Sequence, residues 1–170
     1  AGFNTLPMNL LMTGTLFMTI VFMFIGGSSA GTAGGVKVTT VGLVLATIGS
    51  VLKGKDETEA FDRTIPRDLI NKALTILGLS IGLVLLVTTV LSITEDATFL
   101  EILFESVSAF GTVGLSMGIT TKLFTFVRFV ITFTMFFGRV GPLTVFMALG
   151  ERRQKPQSTV SYPNERVVIG

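Results

Sequence analysis

The chain has 170 residues, of which 49% are hydrophobic and only 14% charged, with a net charge of +2. A soluble domain usually carries about 25% charged residues. There is no Cys, His or Trp, which excludes disulfides, thiolate or imidazole metal sites and histidine-based catalysis; the chain is not expected to be an enzyme.

The charge deficit is uneven. Residues 1–36 contain no Asp, Glu, Lys or Arg, and neither do residues 73–94. Uncharged apolar runs of eighteen or more residues are membrane-span candidates. A soluble core helix of that length would need a polar face, so an all-α membrane protein is expected. The chain opens with Ala1 inside an apolar run, without an initiator Met or a signal-peptide pattern. It is therefore expected to be the later part of a longer protein.

In chain order, residues 6–25 are apolar and 26–35 read GGSSAGTAGG, a loop of small residues. Residues 36–52 are apolar with Thr and Gly interspersed. Residues 53–72 are rich in charge, 73–94 are apolar, 98–121 form a shorter segment with two Glu, and 123–149 are apolar before a polar tail. Lys53, Lys55, Arg63, Arg67 and Lys72 mark loop 53–72, and Arg152, Arg153, Lys155 and Arg166 mark the tail. Basic loops stay cytoplasmic, so loop and tail belong on one side. Residues 73–94 and 123–149 supply the two crossings between them, and 98–121 must enter and leave on the outer side. A helix over 98–110 would be about 20 Å long, too short for a hydrocarbon core of about 30 Å. This predicts a re-entrant pore helix with a return loop, whose irregular backbone needs protein cover or a water-lined path. The same topology predicts that 6–52 is one interrupted path to the cytoplasm, broken at 26–35, rather than two spans.

An offset of 112 residues gives a gapless internal match. Gly2, Leu11, Thr13, Phe17, Met23, Phe24 and Gly26 fall on Gly114, Leu123, Thr125, Phe129, Met135, Phe136 and Gly138. Residues 1–25 should therefore repeat the role of 113–137, the end of a re-entrant loop followed by a descending helix. Arg139 then stands opposite Gly27.

Three features carry chemistry. The return loop reads Thr112-Val113-Gly114-Leu115-Ser116. A K+ filter uses rings of backbone carbonyls in place of the hydration shell. Gly114 opens backbone conformations denied to other residues, and the C-terminal end of the preceding helix favours a cation. Ala1-Gly2-Phe3-Asn4 would be a second such strand; the competing structural role for these glycines is tight helix packing. The loop Gly26, Gly27, Ser28, Ser29, Ala30, Gly31, Thr32, Ala33, Gly34 and Gly35 fits G-x-S-x-G literally, but no His exists to serve as base. Val36 between Gly35 and Lys37 breaks a phosphate-binding loop. An intramembrane gate or constriction is the expected role, against a helix break with close glycine packing. Arg139 is expected within an otherwise apolar helix, far from either end, where an ionisable residue is a functional candidate; loop carbonyls could accept its guanidinium hydrogen bonds, and a kink is expected around Gly138, Gly141 and Pro142. Arg128 should snorkel near the outer end. Glu101 and Glu105 are expected either in an outer vestibule or in structural pairing, for example with Arg128.

The segments AGFNTLPM, GGSSAGTAGGVK, FESVSAFGTVGLS and FFGRVGP together resemble the Trk/Ktr/HKT superfamily of potassium transporters, over essentially the whole chain. That resemblance implies membrane–pore-loop–membrane (M1–P–M2, K+-channel-like) repeats, four to a subunit. Residues 1–52 would be the filter strand and broken second helix of repeat three, and 53–72 a cytoplasmic basic loop. Residues 73–150 would be repeat four, and 151–170 a cytoplasmic tail. It implies potassium uptake across the cell membrane. Filter residues would be Ala1, Gly2, Phe3, Asn4, Thr112, Val113, Gly114 and Leu115, residues 26–35 the gating loop, and Arg139 its contact. K+ would be the transported ion, Na+ an activator in some members, and no covalent cofactor is implied. Partners would be the bilayer, a second copy in a homodimer and a cytosolic ring of nucleotide-binding RCK subunits, with no nucleic acid. The alternative is a secondary transporter with broken helices and a midplane site, which has no need of the re-entrant loop.

Overall fold

The computed structural model describes residues 2–28, 31–55, 57–60, 63–121 and 123–141. These are mostly helical. Helix α1 spans Thr13–Phe24, α2 Val38–Leu52, α3 Arg67–Thr94, α4 Phe99–Gly111 and α5 Thr125–Val140. A two-stranded antiparallel hairpin, β1 Glu59–Ala60 and β2 Arg63–Thr64, lies between α2 and α3. That hairpin adds to the all-α expectation. It is tied to the end of α2 by the Glu59 N–H, which donates to Ser50 Oγ at 3.2 Å.

Helix α3 runs 28 residues, or about 42 Å. By length and composition it can cross a membrane. It starts at Arg67, earlier than the apolar run, so Arg67, Asp68 and Lys72 of the expected loop are helical. Asp68 in the first turn is favourably placed against the helix dipole.

Helix α4 is the shortest of the four later helices and the most enclosed. It begins with a capping box: the Thr98 N–H donates to Glu101 Oε2 at 2.8 Å while the Thr98 side chain caps the backbone in return. Glu101 therefore has a structural task at the helix start. From Phe104 to Gly111 every residue is buried, which only a helix packed on all sides can manage. One face joins Leu16, Ile20 and Met23 of α1 with Val84 of α3 through Phe104, Val107 and Phe110. The other joins Val87 and Leu91 of α3 with Val127 and Ile131 of α5 through Ile102 and Ala109. Thus α4 is the wall common to both cores.

Helices α1 and α2 do not fold back on each other. Ile25 and Val36 form a parallel bridge, so the chain leaves the intervening loop in the direction it entered. Accordingly α1 packs on α4 and α2 on α3. Many large apolar side chains on the outer faces are open, among them Phe22, Leu86, Phe129 and Phe133.

Candidate functional site

The C-terminal end of α4 is where the candidate residues meet. The helix closes with the Thr112 N–H donating to the Ala109 carbonyl at 3.1 Å and the Val113 N–H to the Ser108 carbonyl at 3.0 Å. This is the hydrogen-bond pattern of a Schellman cap, whose left-handed residue is usually Gly. Here it is Thr112, at φ 52°, ψ 36°. A β-branched residue in that region is an outlier, and such strain costs on the order of 1–3 kcal/mol.

Three other backbones press against this end, each through a glycine. A Cβ on Gly138 of α5 would lie 1.8 Å from the Phe110 carbonyl oxygen. One on Gly111 would lie 2.5 Å from the Met23 carbonyl oxygen of α1. One on Gly34 of the small-residue loop would lie 2.6 Å from Thr112 Oγ1 and 2.9 Å from the Gly111 carbonyl oxygen. Close backbone approach, which any side chain would block, is the physical reason for glycine at these positions.

The two expected filter strands come together as well. Gly2 and Gly114 both have positive φ, 68° and 84°, and a Cβ on Gly2 would lie 2.4 Å from the Gly114 carbonyl oxygen. Phe3 and Asn4 are exposed, and Asn4 Nδ2 donates to the Leu6 carbonyl at 2.7 Å. Ala1 lies outside the described residues. Ser108 Oγ donates to the Leu115 carbonyl at 2.6 Å, which ties that carbonyl back to α4.

The loop between α1 and α2 is bound at both flanks. Its neck is closed by the Gly26 N–H donating to the Val36 carbonyl at 2.7 Å and the Val36 N–H to the Phe24 carbonyl at 3.1 Å. The Gly35 N–H donates to the Gly138 carbonyl of α5 at 3.2 Å. The Gly34 N–H donates to Thr112 Oγ1 at 3.1 Å. Arg139 Nη1 donates to the Thr32 carbonyl, and Lys37 Nζ to the Ala33 carbonyl. Ser29 and Ala30 lie outside the described residues; Gly27, Ser28 and Gly31 are in the loop without reaching α4 or α5 by any of these bonds.

Two expectations are corrected. Arg139 is not far from a helix end: α5 stops at Val140, with Gly141 at φ 91°. The guanidinium thus sits in the last turn, where the helix dipole favours a cation. The kink expected around Gly138, Gly141 and Pro142 falls partly outside the described residues, which end at Gly141. Nor does Glu105 pair with Arg128. Arg128 Nη2 donates to the Thr121 carbonyl at 3.2 Å, whereas Glu105 is buried and accepts from Thr120 Oγ1. Thr120 in turn is 2.8 Å from Ser116 Oγ. The chain leaving the return loop is thus fastened to α4 from behind. Glu95 has a role that the sequence reading missed, since its Oε1 accepts the Phe124 N–H at 3.0 Å ahead of α5. Hydroxyl-rich spacing gave little warning of these ties; only the Thr98-to-Glu101 spacing was a readable capping signal.

The described residues are thus a mostly helical arrangement in which a short helix, buried from Phe104 to Gly111, ends in glycine-mediated backbone contacts, as is consistent with an all-α membrane protein. Residues 1–158 match the TrkH family, described as "Cation transport protein", and the chain belongs to that family. It is 44% identical over 170 residues to "Ktr system potassium uptake protein B" of Bacillus subtilis (strain 168), covering 100% of this chain and 38% of that protein. To "Potassium/sodium uptake protein NtpJ" of Enterococcus hirae it is 38% identical over 174 residues, 100% of this chain and 39% of that one. "Ktr system potassium uptake protein D" of Bacillus subtilis is 40% identical over 170 residues, 99% of this chain and 37% of its own length. The chain therefore spans roughly two fifths of the relatives it matches. These relatives are cation transporters, not enzymes.

Proposed function

We propose that this chain is the C-terminal part of the pore-forming subunit of a Ktr-type potassium uptake system, and that the convergence at the end of α4 is its conduction site. In this reading α3 and α5 cross the cell membrane and α4 is a re-entrant pore helix. Residues 112–114 and the Gly2 segment are two strands of a K+ filter. With its carbonyl engaged by Ser108, Leu115 contributes by fixing the strand rather than by lining it. The single observation that carries the reading is that both glycine-containing strands meet, at positive φ, beside the C-terminal end of a short buried helix. Carbonyl-rich backbone there can replace the hydration shell of K+, and the helix end adds partial negative charge.

Residues 26–35 are the gate. Its backbone is irregular: Gly34 and Gly35 are buried against α4 and α5, whereas Ser28 and 31–33 are exposed, and in this reading those residues line a water-filled path, where such backbone is tolerated at membrane depth. Arg139 holds it through the Thr32 carbonyl and opposes cation passage by its charge. The basic loop and the tail face the cytoplasm, where an RCK-type nucleotide-binding ring would dock on a homodimer. Na+ is an activator in this scheme, and no covalent cofactor takes part.

Flux measurements on the complete subunit in proteoliposomes test the reading. Gly114→Ser weakens K+ over Na+ discrimination, because the added side chain disturbs the carbonyl ring, and Arg139→Ala raises K+ flux. Unchanged selectivity counts against the filter, and unchanged flux against the gate.

A further inference from the structure

The Thr112 side chain occupies a position under strong constraint. It sits in the left-handed residue of the α4 cap, at φ 52°, where Gly closes a helix at no steric cost. A β-branched side chain there is strained. What the hydroxyl does in return is visible: it accepts the N–H of Gly34, 78 residues away in sequence, at 3.1 Å. Gly34 is buried, so its donor would otherwise stand unpaired away from water. The approach is available to glycine alone, since a Cβ at Gly34 would meet Thr112 Oγ1 at 2.6 Å and the Gly111 carbonyl at 2.9 Å.

The loop has two kinds of hold. Arg139 and the Gly138 carbonyl fasten it to α5. Thr112 fastens it to the residue that starts the return strand. Gly34 cannot leave the end of α4 without breaking this bond, and Thr112 cannot change its backbone conformation without moving the hydroxyl off Gly34. We propose that the Thr112 hydroxyl is a latch between the loop and the strand, a positioning residue that keeps the loop seated and makes loop release and release of Thr112 one event. This rests on the gate reading above.

The test is K+ and Na+ flux through the complete subunit in proteoliposomes. Thr112→Val keeps the branched shape and removes the acceptor. The expected result is a roughly fivefold rise in K+ flux, the factor that corresponds to about 1 kcal/mol for one net hydrogen bond. Thr112→Ser, which retains the hydroxyl, gives a smaller rise. Wild-type flux in Thr112→Val alongside raised flux in Arg139→Ala overturns the latch and leaves the gate standing. No rise in either removes the gate reading and the latch with it. A rise in Thr112→Val that Gly34→Ala, which lies outside the filter strand, does not reproduce also overturns the latch, because it marks damage to the strand itself. If Thr112→Val fails to accumulate, Gly34→Ala carries the test: its Cβ displaces the loop from the hydroxyl, flux rises, and wild-type flux there refutes the proposal.

Discussion

Helices α1 and α5 start at Thr13 and Thr125, positions related by the 112-residue offset, and each is preceded by a glycine at positive φ, Gly2 and Gly114. They nevertheless bury different faces. Val127, Ile131, Thr134 and Gly138 are inside on α5. Their counterparts Thr15, Thr19 and Phe22 are open or half-buried on α1, which buries Leu16, Ile20 and Met23 instead. One residue of shift is about 100° of rotation. Neighbours explain it. Helix α5 packs on α3 and α4, the two helices that precede it, whereas α1 packs on α4 from the opposite side. Related sequence preserves the helix and its register; the buried face follows from which partner is at hand.

Their ends differ too. Helix α1 stops at Phe24, where the loop begins, while α5 continues to Val140. Gly26 and Gly138 correspond, and each admits a carbonyl: a Cβ on Gly26 would lie 1.9 Å from the Gly34 oxygen, one on Gly138 1.8 Å from the Phe110 oxygen. The same residue thus serves a loop in one half and a core contact in the other.

Breaking that pair has the largest expected effect. Gly138→Ala drives a methyl into the backbone of α4 and costs about 3 kcal/mol or more, the upper end of overpacking, read as a lowered melting temperature in detergent. Gly26→Ala meets only the loop; its expected signature is raised K+ flux with melting little changed. Equal destabilisation by both would mean that the loop is as much a part of the core as α4.

A smaller loss separates the faces. Ile131→Ala removes a buried side chain and costs about 2–3 kcal/mol. The corresponding Thr19→Ala stays within about 0.5 kcal/mol, the range of surface substitutions, if that face stays open. A loss at Thr19 as large as that at Ile131, in thermal unfolding of the complete subunit, would show that further segments cover α1 there.

The smallest effect lies at the helix starts. Glu95→Ala removes the acceptor for the Phe124 N–H and costs about 1 kcal/mol, while Glu95→Gln recovers most of it. Helix α1 has an extended Met12 at the matching place, and Met12→Ala is expected to leave the melting temperature unchanged.

The absence of charge over residues 1–36 and 73–94 and the 112-residue match are properties of the chain itself. Together with the shortness of segment 98–110, they pointed to the five helices among the described residues and to the interruption after α1, because apolar runs and small-residue interruptions act locally on the backbone. They pointed to Arg139 as a contact of the loop, although not to its position in a last turn. What local pattern could not carry is anything that depends on which backbone lies across a gap. The face α1 buries, the glycine at which each pair of backbones touches, the Glu105 tie to Thr120 and the partner of the Thr112 hydroxyl were decided by packing around α4. A hydroxyl bonds whatever donor the fold delivers within about 3 Å, and for Thr112 that donor comes from Gly34, which precedes α2, α3 and α4 in the chain and meets Thr112 only through their packing.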